Sequence, residues 1–165
     1  MSEILNLKPL FDAQKALDAT IHEQHQTNYA KTHDDRVLAL LVELGELANT
    51  TRCFKFWSLK GSEVEAIVLD EYADALHFLL SIGIMHGFVY DEQPLTHFAG
   101  TLTAGFLHIY HAVEVLRAEM NLVNYKKLFS AFTSIIFLLG ANAVKIEEAY
   151  RKKLAVNYQR QEQKY

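Results

Sequence analysis

The sequence predicts an all-α protein, folded as a single-domain bundle of about six helices over residues 1–165. The chain contains only seven Gly and two Pro, which are too few turn residues for a β-sandwich or a β-barrel. Half of its residues are apolar and 22% are charged, a balance that excludes a disordered chain and supplies one core of ordinary domain size. The single Cys excludes a disulfide framework and a cysteine-based zinc site.

Six segments carry the apolar spacing of a helix. In chain order they cover residues 9–24, 32–52, 62–87, 96–118, 125–139, and 142 to at least 153. Pro9 suits the first turn of the first helix. Thr32 with Asp35 and Ser62 with Glu65 resemble the capping pairs that open a helix, here the second and the third.

The later helices are predicted from apolar runs that contain no formal charge. These runs cover residues 75–90, 93–113 and 128–144, and Gly140 closes the fifth helix. A membrane span needs about 20 mostly apolar residues, whereas the first two runs contain five His and the third has 17 residues. Buried helices of a bundle are therefore expected, and no membrane segment.

The charge distribution argues against nucleic acid as a partner. The net charge is −4, and the segment from Arg151 onward contains five basic residues and one acidic residue. The preceding part of the chain, residues 1–150, is therefore strongly acidic. A general nucleic-acid binder needs a basic face. The opening residues show no basic stretch followed by an apolar one, so a cytoplasmic location is expected.

Two pairs of carboxylates are the residues in which the sequence suggests a metal-binding site. Glu43 and Glu46 lie three residues apart on the second helix, and Glu71 and Asp74 are spaced equally on the third. This spacing places each pair on one helical face, among leucines. Four converging carboxylates need compensation, and divalent cations such as Mg²⁺ or Mn²⁺ provide it. The alternative is that both pairs are solvated faces of amphipathic helices.

Two histidine-containing patterns suggest other metals. Asp74 and His77 resemble half of the carboxylate–histidine pattern of di-iron bundles, but the matching half is missing because Asn49 follows Glu46 at that step. The spacing of His22 and His25 does not fit a zincin helix, so surface positions are expected for them.

The amino-acid sequence around these carboxylates resembles that of the dimeric, all-α dUTPases. Residues 43–58 (ELGELANTTRCFKFWS) and 71–83 (EYADALHFLLSIG) are similar to the two metal motifs of that family. Residues 150–161 (YRKKLAVNYQRQ) resemble its C-terminal phosphate and base motif, and residues 13–18 (AQKALD) resemble its opening helix. The four motifs occur in the family's order along nearly the whole chain.

The resemblance implies a homodimer with a MazG-like all-α NTP pyrophosphohydrolase architecture. It implies Mg²⁺-dependent hydrolysis of dUTP to dUMP and pyrophosphate, with two or more metal ions and Mn²⁺ as a substitute, and it leaves dUDP open as a further substrate. Carried onto this sequence, the metal ligands are Glu43, Glu46, Glu71 and Asp74. Glu46 is expected to position and deprotonate the attacking water, which the resemblance directs to the β-phosphorus.

The remaining functional positions concern the nucleotide. Lys153, Arg160 and Lys55 are expected to hold phosphate oxygens. Amides for the uracil edge and an apolar wall for its ring are expected from other residues. The expected substrate-binding residues are Gln14, Asp18, Lys55, Trp57, Phe78, Lys153, Asn157 and Arg160. If the last helix continues beyond Lys153, then Lys153, Asn157 and Arg160 lie on one face of it. Tyr150 and Gln161 lie on the same face.

Three residues depart from the family pattern. Asp18 stands where an Asn is expected, and an ionised carboxylate cannot donate a hydrogen bond to the base. Leu154 and Lys164 replace an Asn and a Gly in the tail. Two other functions stay open from the residues: a pyrophosphohydrolase for another nucleotide such as dCTP, and a non-catalytic helical interaction protein stabilised by metal.

Overall fold

The computed structural model describes residues 3–164, and within them the fold is helical, as predicted. Residues 1, 2 and 165 lie outside the described residues, and the single domain expected over residues 1–165 stays a prediction. Six α-helices account for most of the chain. They are α1 (Lys8–His25), α2 (His33–Thr51), α3 (Glu65–His86), α4 (Leu102–Ala118), α5 (Leu122–Ser134) and α6 (Ala143–Glu162).

Two short strands were not predicted from the sequence. Strand β1 (Ile4–Asn6) pairs antiparallel with β2 (Glu92–Pro94), and Leu5 lies opposite Gln93. Each strand has three residues, which is too short for an alternating pattern to be recognised. Their pairing ties the start of the chain to the connection between α3 and α4.

Helix α3 is the central element, because it packs against α1, α2 and α6. Its second half carries no formal charge and is buried on most sides, as expected for a helix surrounded by others. Gly83 allows Tyr125 to approach its backbone, since an added Cβ would lie 2.3 Å from the tyrosine hydroxyl oxygen. That hydroxyl donates to the carbonyl of Leu79 at 2.8 Å. On another side, α4 packs against α5.

Both predicted capping pairs are wrong. Thr32 precedes α2 without a side-chain capping bond, and its hydroxyl instead donates to the carbonyl of Asn28 at 2.8 Å. Helix α3 begins at Glu65, and the hydroxyl of Ser62 donates to the carbonyl of Glu63 at 3.0 Å. Packing of the leucine-rich faces positions these helix starts without the caps.

The boundaries of two other helices, α4 and α5, also differ from the prediction. Helix α4 begins at Leu102 because β2 and the following segment occupy residues 92–101, and the hydroxyl of Thr101 caps it. Helix α5 begins three residues early, capped by Asn121, and ends at Ser134 instead of 139. The predicted start of α6 is confirmed, because the side chain of Asn142 accepts the amide N–H of Lys145 at 3.0 Å. Within residues 3–164, no helix combines the length and the apolar character that crossing a membrane would require.

Candidate active site

The packing of α2 against α3 brings three of the four predicted metal ligands together. Glu43, Glu46 and Glu71 each offer a carboxylate oxygen, and these oxygens lie within 4.8 Å of one another. Within residues 3–164, this is the one group of His, Cys, Asp or Glu side chains that meets that spacing. The helical spacing of three residues turns both α2 carboxylates toward α3. We call these three residues the carboxylate cluster.

The carboxylates of this cluster repel one another, and two of them have a raised pKa. Burial, followed by repulsion from the carboxylates of Asp74, Glu46 and Glu71, raises the pKa of Glu43 to about 7. Oxygen Oε2 of Glu43 is buried and has no hydrogen-bond partner among the described residues. Burial, followed by repulsion from Asp74 and Glu46, also raises the pKa of Glu71. A cation is the group that would satisfy such a site.

Asp74 adjoins the cluster but is engaged by a buried lysine. Its Oδ2 accepts a hydrogen bond from Nζ of Lys153 at 2.6 Å, and Asp70 accepts from the same nitrogen at 2.7 Å. The side chain of Lys153 is 5% exposed. Burial lowers the pKa of Lys153, but the hydrogen bonds to Asp70 and Asp74 outweigh it, so the net direction is upward. Burial raises the pKa of Asp74 despite the opposing effect of Lys153. Asp70 was not among the predicted residues.

The residues of the cluster fit a divalent metal ion of the hard type. All three side chains offer oxygen, which Mg²⁺ and Mn²⁺ prefer, and the cluster contains no Cys or His. Glu46 is exposed, whereas Glu43 and Glu71 are partly buried, so a bound ion would face solvent on one side. The orphaned oxygen of Glu43 is the independent sign that a ligand is expected here.

A cavity of about 400 Å³ adjoins the carboxylates. Helices α1, α2, α3 and α6 form its walls. The predicted residues that line it are Gln14, Asp18, Glu43, Asp74, Phe78, Asn157 and Arg160. Its volume lies in the range of small-molecule sites, which are several hundred cubic ångströms. The first and last helices thus meet beside the carboxylates, although they are far apart in sequence.

The two predicted residues of α1 belong to one buried network. Gln14 and Asp18 are each 3% exposed. The side-chain amide of Gln14 donates to Oδ1 of Asp18 at 2.9 Å, and its Oε1 accepts the hydroxyl of Tyr150 at 3.1 Å. The hydroxyls of Tyr29 and Ser81 donate to Oδ2 of Asp18 at 3.0 and 2.7 Å. Both carboxylate oxygens of Asp18 therefore already accept hydrogen bonds from side chains of the protein.

Sequence reasoning did not include Arg36, Ser81, Tyr29 or His77 among the candidate site residues. Arg36 is buried, and its Nε donates to the hydroxyl of Ser81 at 2.8 Å. Nδ1 of His77 lies 2.5 Å from Oε1 of Gln14, and the ring stacks on Tyr150. His77, Arg36 and Ser81 all line the cavity. The available signal was helical spacing, because His77 follows Asp74 by three residues and Ser81 follows His77 by four.

The face predicted for the last helix is confirmed, because α6 continues to Glu162. Tyr150 and Lys153 are buried on this face, and Asn157, Arg160 and Gln161 line the cavity one and two turns further on. The positive charge of Arg160 favours the ionised form of Asp74.

Of the predicted residues, Lys55 and Trp57 lie in the connection between α2 and α3, away from the helices that line the cavity. Trp57 is 64% exposed and its ring contacts those of Phe54 and Phe56 edge-on. Nζ of Lys55 lies 5.7 Å from the centre of the Phe54 ring. Neither Lys55 nor Trp57 lines the cavity. We call residues 52–64 the aromatic loop, because it exposes Phe56 and Leu59 as well.

One comparison with known proteins identifies a family for this chain. A family model described as dUTPase matches residues 6–165. No curated protein matches the chain significantly. The family match includes the carboxylate cluster and every helix that lines the cavity. Because the match covers nearly the whole chain, this protein belongs to the dUTPase family.

Proposed function

We propose that this chain is a Mg²⁺-dependent dUTP diphosphatase that hydrolyses dUTP to dUMP and pyrophosphate. Membership of the dUTPase family supports dUTP as the substrate. The observation that carries the metal dependence is the cluster of Glu43, Glu46 and Glu71, whose oxygens lie within 4.8 Å of one another. The cavity beside it has room and polar groups for a nucleotide base.

The carboxylate cluster and Asp74 would hold Mg²⁺, with Mn²⁺ as a substitute. When bound, the ion lowers the pKa of coordinated water and neutralises charge on phosphate oxygens. Lys153 lies next to this group, because its Nζ donates a hydrogen bond to Asp74 at 2.6 Å. We expect that ammonium group and the guanidinium of Arg160 to bind phosphate oxygens once the carboxylates bind cations.

Glu46 is the proposed general base. It is the exposed member of the carboxylate cluster, so its carboxylate is accessible to a water molecule. The water oxygen forms a bond to the β-phosphorus, and the bond from that phosphorus to the oxygen bridging to the α-phosphorus breaks. The proton of the water goes to the carboxylate of Glu46, and the bridging oxygen leaves with dUMP.

The base is proposed to lie among the residues of the cavity. The amides of Gln14 and Asn157 offer donors and acceptors for the uracil edge, and Phe78, which is partly buried there, offers an apolar wall. Trp57 and Lys55 are proposed to approach the nucleotide when it binds. Their position in the exposed aromatic loop supports this proposal, because an exposed loop is free to move without breaking the core.

A homodimer is proposed on the basis of an apolar surface shared by α2 and α4. Leu38 is 62% exposed, Val42 49% and Leu107 68%. The two helices are held together by the hydroxyl of Tyr110, which donates to the carbonyl of Leu41 at 2.9 Å. Leu107→Asp is expected to convert a dimer to a monomer in light scattering, and a wild-type monomer at micromolar concentration would contradict the proposal. The cytoplasmic location and the absence of a nucleic-acid partner stay predictions.

The direct test is pyrophosphate release from dUTP, dTTP, dCTP, dATP, dGTP and UTP, with Mg²⁺ and then with EDTA. Fast turnover confined to dUTP and abolished by EDTA is the expected result. Glu46→Gln is expected to lose turnover while it still binds Mg²⁺. Turnover of another nucleotide would keep the metal chemistry and reject the base assignment. No turnover at all would favour a metal-stabilised interaction protein.

The site of attack has a separate test. Hydrolysis in water enriched in heavy oxygen is expected to label pyrophosphate, since the attacking oxygen stays on the β-phosphorus. Label in dUMP would show attack at the α-phosphorus instead.

A further inference from the structure

Lys153 is a buried cation that two carboxylates of α3 share. Its Nζ donates to Oδ2 of Asp70 at 2.7 Å and to Oδ2 of Asp74 at 2.6 Å. Asp70 and Asp74 lie four residues apart, so they share one face of α3. A single ammonium group on α6 therefore bridges two carboxylates that are one helical turn apart.

The two partners of Lys153 have different surroundings. Asp74 lines the cavity beside the carboxylate cluster, together with Glu43. Asp70 lines a separate recess of about 260 Å³ between α3 and α6, together with Glu148. The side chain of Asp70 is 41% exposed, against 18% for Asp74. Of the two aspartates, only Asp74 therefore faces the proposed metal site.

Asp74 has to exchange its partner in order to bind an ion at the cluster. Within the described part of the chain, Asp74 is not a member of the group of carboxylates whose oxygens lie within 4.8 Å of one another. Its Oδ2 instead accepts from Lys153. A divalent cation at the cluster attracts the Asp74 carboxylate and repels the Lys153 ammonium group. Lys153 thus opposes the binding of a cation by Asp74 unless another acceptor holds its charge.

We propose that Asp70 is a positioning residue that retains Lys153 when Asp74 turns to the bound metal ion. This inference rests on the proposed metal site, in which Asp74 is the fourth ligand. Asp70 keeps its hydrogen bond to Nζ, so the ammonium group stays beside the site and does not move into solvent. A lysine ammonium group has three donors. The donor that Asp74 releases is then available to a phosphate oxygen of the substrate.

A general attraction of Asp70 for cations would have a different consequence. Removal of its charge would then weaken Mg²⁺ binding to the same extent whether or not Lys153 is present. Retention of the lysine predicts a loss of affinity that requires Lys153. A double-mutant cycle, with Asp70→Asn made in the wild type and in Lys153→Met, separates these two effects.

The first test measures Mg²⁺ binding to the nucleotide-free protein by isothermal titration calorimetry. Asp70→Asn is expected to raise the Kd for Mg²⁺ by roughly threefold or more, because Lys153 then pairs with Asp74 alone. In Lys153→Met, the same substitution is expected to change the Kd little. Glu148→Gln removes a charge from the same recess and is the matched control, with a Kd close to that of the wild type. Equal increases in both backgrounds, or no increase in the wild type, would overturn the inference.

These outcomes also separate the inference from the proposed function. If the wild type binds Mg²⁺ and hydrolyses dUTP, but the effect of Asp70→Asn does not depend on Lys153, the inference is wrong and the proposed function stands. If the wild type binds no Mg²⁺, both are wrong.

The second test needs only the wild type and Asp70→Asn, so it decides even if Lys153→Met does not fold. A buried, hydrogen-bonded ammonium group exchanges its protons slowly with water, so the Lys153 ammonium group is expected to give a proton–nitrogen NMR signal in the metal-free wild type. At saturating Mg²⁺, the wild type is expected to keep this signal and Asp70→Asn to lose it. Loss of the signal from the wild type on Mg²⁺ binding, or its persistence in Asp70→Asn, would overturn the inference.

Discussion

Glu43→Gln tests the electrostatics of the carboxylate cluster most directly. In the metal-free protein, the pKa of Glu43 rises from 4.5 to about 7, mainly through burial. At 1.36 kcal/mol for each tenfold change, this rise corresponds to roughly 3 kcal/mol of destabilisation by the ionised form. The side chain is partly exposed, so solvent screening reduces the cost to about 1–2 kcal/mol. Glutamine removes the charge at nearly constant volume.

The sign of the effect depends on pH. Between pH 4.5 and about 7, the folded wild-type protein binds more protons at Glu43 than the unfolded chain does, so rising pH lowers its free energy of unfolding. Below this range the carboxyl group is protonated in both states and the cost disappears. Glu43→Gln should therefore match the wild type near pH 4.5 and exceed it at pH 8.

The assay is thermal unfolding in EDTA at both pH values, followed by circular dichroism. For a chain of this size, about 1–2 kcal/mol corresponds to a Tm higher by roughly 3–6 °C at pH 8. Glu148→Gln, an exposed position on α6, is the matched control and should change Tm little. Added Mg²⁺ should stabilise the wild type and have little effect on Glu43→Gln. Equal stability of Glu43→Gln and wild type at pH 8 would refute the reasoning.

Three further substitutions test separate parts of the structure. Lys153→Met leaves two carboxylates without their counter-ion, so chemical denaturation should show a loss of about 2–4 kcal/mol, and unchanged stability would show that this pair contributes nothing. Asn157→Ala should lower kcat/KM for dUTP more than for other nucleotides while Mg²⁺ still stabilises the protein, and an equal loss on every nucleotide would reject its contact with the base. Gly83→Ala places a Cβ 2.3 Å from the hydroxyl oxygen of Tyr125 and should cost about 1–3 kcal/mol in denaturant unfolding. Gly61→Ala meets no atom within 4 Å and is the neutral control; equal effects of the two glycine substitutions would contradict the packing argument.

The helical class and the carboxylate pairs followed from the sequence because both depend on local spacing. A separation of three residues places Glu43 beside Glu46 on any α-helix, whatever the helix packs against. The same argument placed Tyr150, Asn157 and Arg160 on one face of the last helix, which α6 confirms. Periodicity needs no knowledge of the rest of the fold.

Helix ends were harder to predict, because a cap competes with other hydrogen bonds of the same side chain. Thr32 and Ser62 have the residue type of a cap, yet both hydroxyls donate to nearby carbonyls instead. Asn142 does cap its helix. Residue type alone does not decide between these uses.

What the tertiary structure alone decided is which polar groups meet across helices. Lys153 bonds Asp70 and Asp74, about eighty positions earlier in the chain, and Gln14 meets His77 and Tyr150. These contacts arise because α1 and α6 both pack against α3. The charge of a buried group depends on its neighbours in space and on the loss of water around it, and the spacing of residues along one helix determines neither of these.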